Sequence, residues 1–310
     1  MAVINGESMF SHYVGFKRAF RDAFDGAENV DQWSLFSTLV PSDTREEVYQ
    51  WMGQTPQMRE WIGPRVVREM LGSEYRIKNK SYELTYGVNA DDLEDGRNPD
   101  LIFQFNRMGR AAARWPNKIC FEVLKDSYTG GPGAGLVGFD GQPLFSAAHP
   151  VDRRGDDGVV AATTESNFVA GGGEPWILVD DTQVLGLVIM QLRQQARFVR
   201  KDAPEDEGMF HKRQALYGVD SRGAAAPGLW HVGFMSRGTL NQTNFEDAFA
   251  TMTGRKNEEN ESLGIRPTIL MVGSTNEAAA RALLLRQFID GGNTNPNFNR
   301  VALLVTNLLD

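Results

Sequence analysis

Residues 100–128 read DLIFQFNRMGRAAARWPNKICFEVLKDSY, and this stretch organises everything around it. Leu101, Phe105, Met108, Ala112, Trp115, Ile119 and Val123 recur at steps of four and three, which puts one continuous apolar stripe on a helix. At the usual rise of 1.5 Å per residue the helix would span about 40 Å. Pro116 lies inside it, removing one donor and crowding the preceding turn, so a bend there is expected rather than a stop. A helix this long with one apolar side needs a broad partner, so the flanking sequence should supply a sheet or more helices.

Upstream, residues 1–30 carry Phe10, Tyr13, Phe16, Phe20 and Phe24 at helical spacing among charges, a short amphipathic helix that needs a neighbour to cover it. Residues 31–90 hold Trp33, Phe36, Tyr49, Trp51, Trp61, Tyr75, Tyr82 and Tyr86. Strand-like alternation appears in REEVYQWMG and in YRIKNKSYELTYGV, around a turn and short helix in MREWIGPRVVREML. Two readings fit this long β-hairpin. Either its rings meet another surface, since an isolated hairpin is marginal, or they fold onto the protein's own core as an ordinary antiparallel sheet.

Downstream, residues 129–175 are rich in glycine, proline and aspartate, the composition of long functional or mobile loops. WILVD, LGLVIMQLR and ARFVR read as strands, and LYGVDSRGAAAPGLWHVGFMSRG as short β pieces broken by glycine. RPTILMVG is a buried-strand pattern feeding the helix STNEAAARALLLRQF, with Ser274 and Glu277 spaced as a capping box. VALLVTNLL closes the chain as a further strand. No repeat of fixed period is present.

Several motifs invite chemistry and fail on context. GAGLVG at 133–138 fits G-x-G-x-x-G, but a helix precedes it and GFDGQPLF follows where a second helix should start, so a glycine-rich connection is the better reading. The four histidines, His12, His149, His211 and His231, show no metal-ligand spacing. His149 reads as a histidine pinning a loop; a hydrolase pairing it with Asp140 or Asp152 lacks any nucleophile motif. NADDLEDGRNPD has Leu93 and Ile102 where a calcium loop needs ligands, so it reads as an acidic turn and helix start. Arg154-Gly155-Asp156 is a tripeptide common by chance. The single cysteine, Cys120, rules out a disulfide framework, and no apolar run reaches membrane-spanning length. The net charge of -8 argues against an affinity built on nucleic acid phosphates. A soluble, non-enzymatic protein without cofactor, metal or membrane partner is expected.

Taken in order, YQWMGQTPQMREWIGPR, YRIKNKSYELTYGVNADDLEDG, the helix ending LKDSYTG, FDGQPLFSAAHPV, YGVDSRGAAAPGLWHVGF and RPTILMVG resemble the major head subunits of Mu-like tailed phages. The resemblance runs from about residue 10 to the end. It implies the α+β HK97-like capsid fold, with an N-terminal arm at 1–30 and an extended β-hairpin E-loop with flanking strands at 31–90. A peripheral domain holding the long spine helix would occupy 91–140. An axial α/β domain with returning peripheral strands would take 141–310. It also implies self-assembly into hexamers and pentamers of an icosahedral shell enclosing DNA without specific recognition. Separate scaffold or protease and portal proteins, and a decoration protein, would be the other partners, with assembly in the host cytoplasm. With only about thirty residues before the E-loop, scaffolding is expected from another protein, or the chain is already a mature form. Expected interface residues are Trp51, Met52, Trp61, Ile62 and Pro64 on the E-loop, and Phe16 and Phe20 on the arm. A nanocompartment shell of the same fold, filled with cargo enzyme instead of DNA, is the alternative.

Overall fold

The long helix forms where its periodicity predicts: α3 runs Asn98–Asp126 and continues through Pro116. At its C-terminus the amides of Ser127 and Gly133 donate to the carbonyls of Val123 and Asp126, so the glycine-rich turn that follows caps the helix with backbone. The computed structural model describes residues 6–28, 30–49, 74–94, 98–154, 160–203, 205–257, 260–289 and 291–310.

The helix lies on a four-stranded peripheral sheet ordered β1-β9-β10-β4. These strands are β1 (Ser37–Pro41), β4 (Lys80–Asn89), β9 (Val188–Lys201) and β10 (Gln214–Pro227). β1 runs parallel to β9, and β10 is antiparallel to both its neighbours. The short pieces expected between 187 and 227 are instead two strands of 14 residues each. Glycine does not break β10. A Cβ on Gly223 would sit 2.5 Å from the carbonyl oxygen of Gln191, so glycine is there to let two backbones approach. Register shifts around Arg222 absorb the irregularity as bulges.

The N-terminal helix α1 (Gly6–Asp25) covers the same face as α3. Phe16 stacks on Phe105 with centroids 4.3 Å apart. Gly109 brings α3 so close that a Cβ there would lie 2.3 Å from the Phe20 carbonyl oxygen. The neighbour that α1 needs is thus the long helix of its own chain.

A second, five-stranded axial sheet is ordered β13-β12-β8-β11-β7. It is built from β7 (Phe168–Val169), β8 (Trp176–Val179), β11 (Gly233–Ser236), β12 (Ile269–Val272) and β13 (Ala302–Val305). Side chains of β8 alternate between two cores. Ile177 and Val179 join the cluster that contains Phe121 and Leu124 of α3. Trp176 and Leu178 face α5 (Gln242–Thr253) and α6 (Glu277–Leu285). The capping box expected at α6 does not form. Asn276 holds the cap position but its side chain donates to the Glu174 carbonyl rather than capping the helix, Glu277 pairs with Arg281 at 2.7 Å, and the Ser274 amide donates to Asp310 Oδ1 instead. Likewise the closing strand stops at Val305, because Thr306 Oγ1 accepts from the Leu308 amide and turns Asn307–Leu309 into a 3-10 helix.

Two antiparallel pairs complete the fold. β2 (Glu46–Tyr49) pairs with β3 (Tyr75–Lys78), and β5 (His149–Arg154) with β6 (Val160–Glu165).

Candidate assembly surface

The β2–β3 pair is the root of the expected E-loop, and a buried chain of hydrogen bonds seats it on the peripheral sheet. Tyr49 donates its hydroxyl to Gln191 Oε1 at 2.9 Å. Gln191 Nε2 donates to the Ile77 carbonyl (3.2 Å) and to Asn79 Oδ1 (2.8 Å). Asn79 Nδ2 donates to Ser42 Oγ (2.8 Å) and the Thr44 carbonyl (3.0 Å), and Ser42 donates to Glu47 Oε1 at 2.8 Å. The Ser42 and Thr44 bonds hold the Glu47 carboxyl below its ordinary range, while burial pushes the Tyr49 hydroxyl up to about 12. A satisfied polar network of this kind fixes one geometry, because any partner removed leaves another buried group unpaired. Sequence reasoning passed over Gln191 and Asn79. The available signal was a polar residue at an inward position: Gln191 ending the apolar run VIMQ, and Asn79 next in the alternation after Tyr75 and Ile77.

Around this root the described aromatics of 31–90 take the second of the two readings. Phe36, Tyr49 and Tyr75 are buried in their own chain, and Tyr82 lies against Trp115 with centroids 4.9 Å apart. Trp51, Met52, Trp61, Ile62 and Pro64 lie outside the described residues. On the arm, Phe16 is 1% exposed and Phe20 6%, both inside the core shared with Phe105, Phe198 and Tyr217. What α1 turns outward is Phe10, 55% exposed, with Val14 one turn further on. Within the chain, Phe16 and Phe20, expected at a subunit contact, pack on α3 and the peripheral sheet.

Two further apolar surfaces stand open. A groove of about 400 Å³ runs between α3 and the sheet, walled by Tyr82, Leu84, Ala112, Trp115, Ala196 and Val219. Leu285, Phe288, Ile289 and Phe298 are exposed on and after α6. That loop is rigidly built: Asn295 Nδ2 donates to the carbonyls of Leu283 and Arg286, both at 2.8 Å, and Asn297 Nδ2 to Glu246 Oε1 at 2.8 Å. Gly291 and Gly292 supply the positive φ its turn requires.

Two of the motifs that resembled chemistry, GAGLVG and the segment with His149, fall between α3 and the axial sheet. GAGLVG lies in turns that lead into no helix. His149 is fully buried, with Asp140 Oδ2 at 2.6 Å from Nδ1 and Asn167 Oδ1 at 3.0 Å from Nε2. Both ring nitrogens are engaged, so the ring pins the loop. Among the described residues no cluster of His, Cys, Asp or Glu is arranged to hold a metal ion, and no helix is long and apolar enough to cross a membrane.

A spine helix on a sheet of long strands, a braced hairpin root beside it and a separate axial layer ending in an apolar loop define a shell subunit of the HK97-like capsid fold. The family model described as Mu-like prophage major head subunit gpT matches residues 9–309. The chain is 30% identical over 295 residues to the major capsid protein of Escherichia phage Mu, covering 94% of each. To the Mu-like prophage FluMu major head subunit of Haemophilus influenzae it is 28% identical over 308 residues, 98% of this chain and 97% of that one. It superposes on the subunit in the procapsid of bacteriophage JBD30 with a TM-score of 0.82 at 34% identity, covering 99% of this chain and 100% of that one. Against the JBD30 capsid the TM-score is 0.76 at 27% identity, with all of both chains covered. The chain belongs to the Mu-like prophage major head subunit family and is a major capsid subunit of a tailed phage, part of the virion.

Proposed function

We propose that copies of this chain join as hexamers and pentamers into a closed icosahedral shell around double-stranded DNA. What supports this reading is exposed apolar surface at two separate places on the subunit: the groove beside α3 and the Phe288–Ile289 loop after α6. A single chain leaves both uncovered, and repeated contacts between unlike surfaces are what close a ring and then a sphere. In the same reading Trp51, Met52, Trp61, Ile62 and Pro64 reach a neighbouring copy from the braced hairpin root, and Phe10 and Val14 extend the contact on the arm. The JBD30 capsid has been seen decorated with minor capsid protein trimers, which supports a decoration protein as a partner here. Scaffold or protease and portal partners, and assembly in the host cytoplasm, belong to the same proposal. The DNA would be enclosed without base recognition, in keeping with the net charge of -8.

Interface energy concentrates in a few buried aromatics, so Trp51→Ala and Trp61→Ala should each cost about 2 kcal/mol or more per contact. Electron microscopy and sedimentation of the purified product should show few closed shells from either variant. Shells of normal yield and heat stability would remove these residues from the interface.

A further inference from the structure

The linker closes on His149 in a way that fixes where its protons sit. Asn167 settles one nitrogen. Its Nδ2 donates to the carbonyls of Leu144 (2.8 Å) and Trp230 (3.2 Å), so the amide cannot be turned over. Its Oδ1 accepts from the Ser146 amide at 2.7 Å and faces His149 Nε2 at 3.0 Å, so Nε2 carries a hydrogen. At the other nitrogen stands a carboxylate oxygen, Asp140 Oδ2, at 2.6 Å from Nδ1. The second oxygen of Asp140 accepts from the Gln142 amide at 3.1 Å, so the carboxyl is anchored at both oxygens. A neutral ring would set the Nδ1 lone pair against that oxygen, which is repulsive at hydrogen-bond distance. We propose that His149 is held as an imidazolium between Asp140 and Asn167, making the joint between spine helix and axial sheet a proton-dependent clamp.

The surroundings bear on this charge from every side. Trp230 lies flat on the ring, centroids 4.1 Å apart and planes 5° from parallel, and His231 stacks on Trp230 at 3.7 Å. Burial, then the charges of Arg255 and His149, hold His231 well below the ordinary histidine range, so it stays neutral. Arg255 sits 5.3 Å over Trp230 and donates to the carbonyls of Trp230, His231 and Gly233; burial lowers it to about 10, and it remains a cation that opposes a second charge. On the favourable side are Asp140 and Glu165, which faces His149 in the β5–β6 register while bonding Arg153. Beyond Asp140 lies the buried Tyr75 hydroxyl, which is raised by burial first and then by the charges of Tyr49 and Asp140. Phe139, next to Asp140, packs with Tyr49, Tyr75 and Ile77, so the clamp borders the hairpin root.

The clamp holds a proton between Nδ1 and Asp140 Oδ2 that a neutral ring in the unfolded chain lacks, so removing that proton by alkali should cost stability. In Asp140→Asn the amide can donate to Nδ1 of a neutral ring, so the variant needs no such proton. The apparent Tm of the full wild-type chain should fall with rising pH by about 2 °C or more relative to that of Asp140→Asn. Parallel curves would overturn the clamp. If Asp140→Asn does not fold, nitrogen-15 spectra of histidine-labelled His12→Gln/His211→Gln protein at pH 8 decide: only His149 and His231 remain, and one should show both ring nitrogens protonated. Two neutral rings would overturn the proposal.

Discussion

Every residue of β8, β11 and β12 is buried, while β4 alternates along its length between half-buried Tyr82, Leu84 and Tyr86 and exposed Glu83 and Thr85. The axial sheet is covered on one side by α5 and α6 and on the other by the core it shares with α3. The peripheral sheet is covered by α1 and α3 on one side only. Its other face is capped near Ile189 and Ala224 by the β2–β3 root, then left open where Arg197, Val199 and Asp220 stand. Burial within one chain therefore completes the axial layer and only half completes the peripheral one. That asymmetry suits a subunit whose remaining burial comes from assembly.

The largest expected effect tests the axial side. Trp176 is fully buried and donates its indole N–H to the Gly238 carbonyl at 3.0 Å. Trp176→Ala should cost about 3–5 kcal/mol, read by denaturant unfolding of the unassembled chain. Thr85→Ala on the open peripheral face should stay within about 0.5 kcal/mol. Comparable losses at the two sites would erase the contrast.

A middle-sized effect asks whether α1 belongs to the peripheral core. Gly109→Ala gains about 1 kcal/mol of helix propensity. The new methyl, however, would meet the Phe20 backbone oxygen at 2.3 Å, and backbone cannot rotate aside as a side chain can. Overpacking of this kind costs about 1–3 kcal/mol, so the clash should win and α1 should lift. Limited proteolysis should then cleave within Gly6–Asp25 faster than in the wild type. Unchanged cleavage with raised stability would show that the helices separate freely.

The parts legible in the sequence were those with local periodicity. The stripe from Leu101 to Val123 specified α3, and RPTILMVG specified β12, because each pattern repeats within a few residues. What stayed hidden depended on partners far along the chain. That Phe16 faces Phe105 is a contact across 89 residues, invisible to any window. Gly223 looked like a break because local rules treat glycine as punctuation, yet its role is set by Gln191 on the next strand. The failed capping box has the same cause: Asp310, at the other end of the chain, claims the Ser274 amide. The hairpin root was readable as alternation, but the Tyr49–Gln191–Asn79 network that seats it joins residues up to 142 positions apart.

The smallest expected effect lies on the open face itself. Arg197 grips Asp220 through two bonds, at 2.8 and 2.9 Å, across the β9–β10 pair. Those bonds, chiefly, hold the Asp220 carboxyl below its ordinary value of 3.8, against a smaller opposing push from burial. A depressed carboxyl contributes stability above its unfolded value and loses it as pH falls through the folded one. Because the Arg197 side chain is 64% exposed and that of Asp220 33%, solvent screens most of the attraction. Asp220→Asn should therefore cost about 0.2–1 kcal/mol at neutral pH. The deficit should shrink at high salt and vanish on acidification, as the wild-type carboxylate takes up its proton. A loss of several kcal/mol, insensitive to salt, would mean that this face is desolvated within a single chain, and the division between a finished axial layer and an unfinished peripheral one would have to be redrawn.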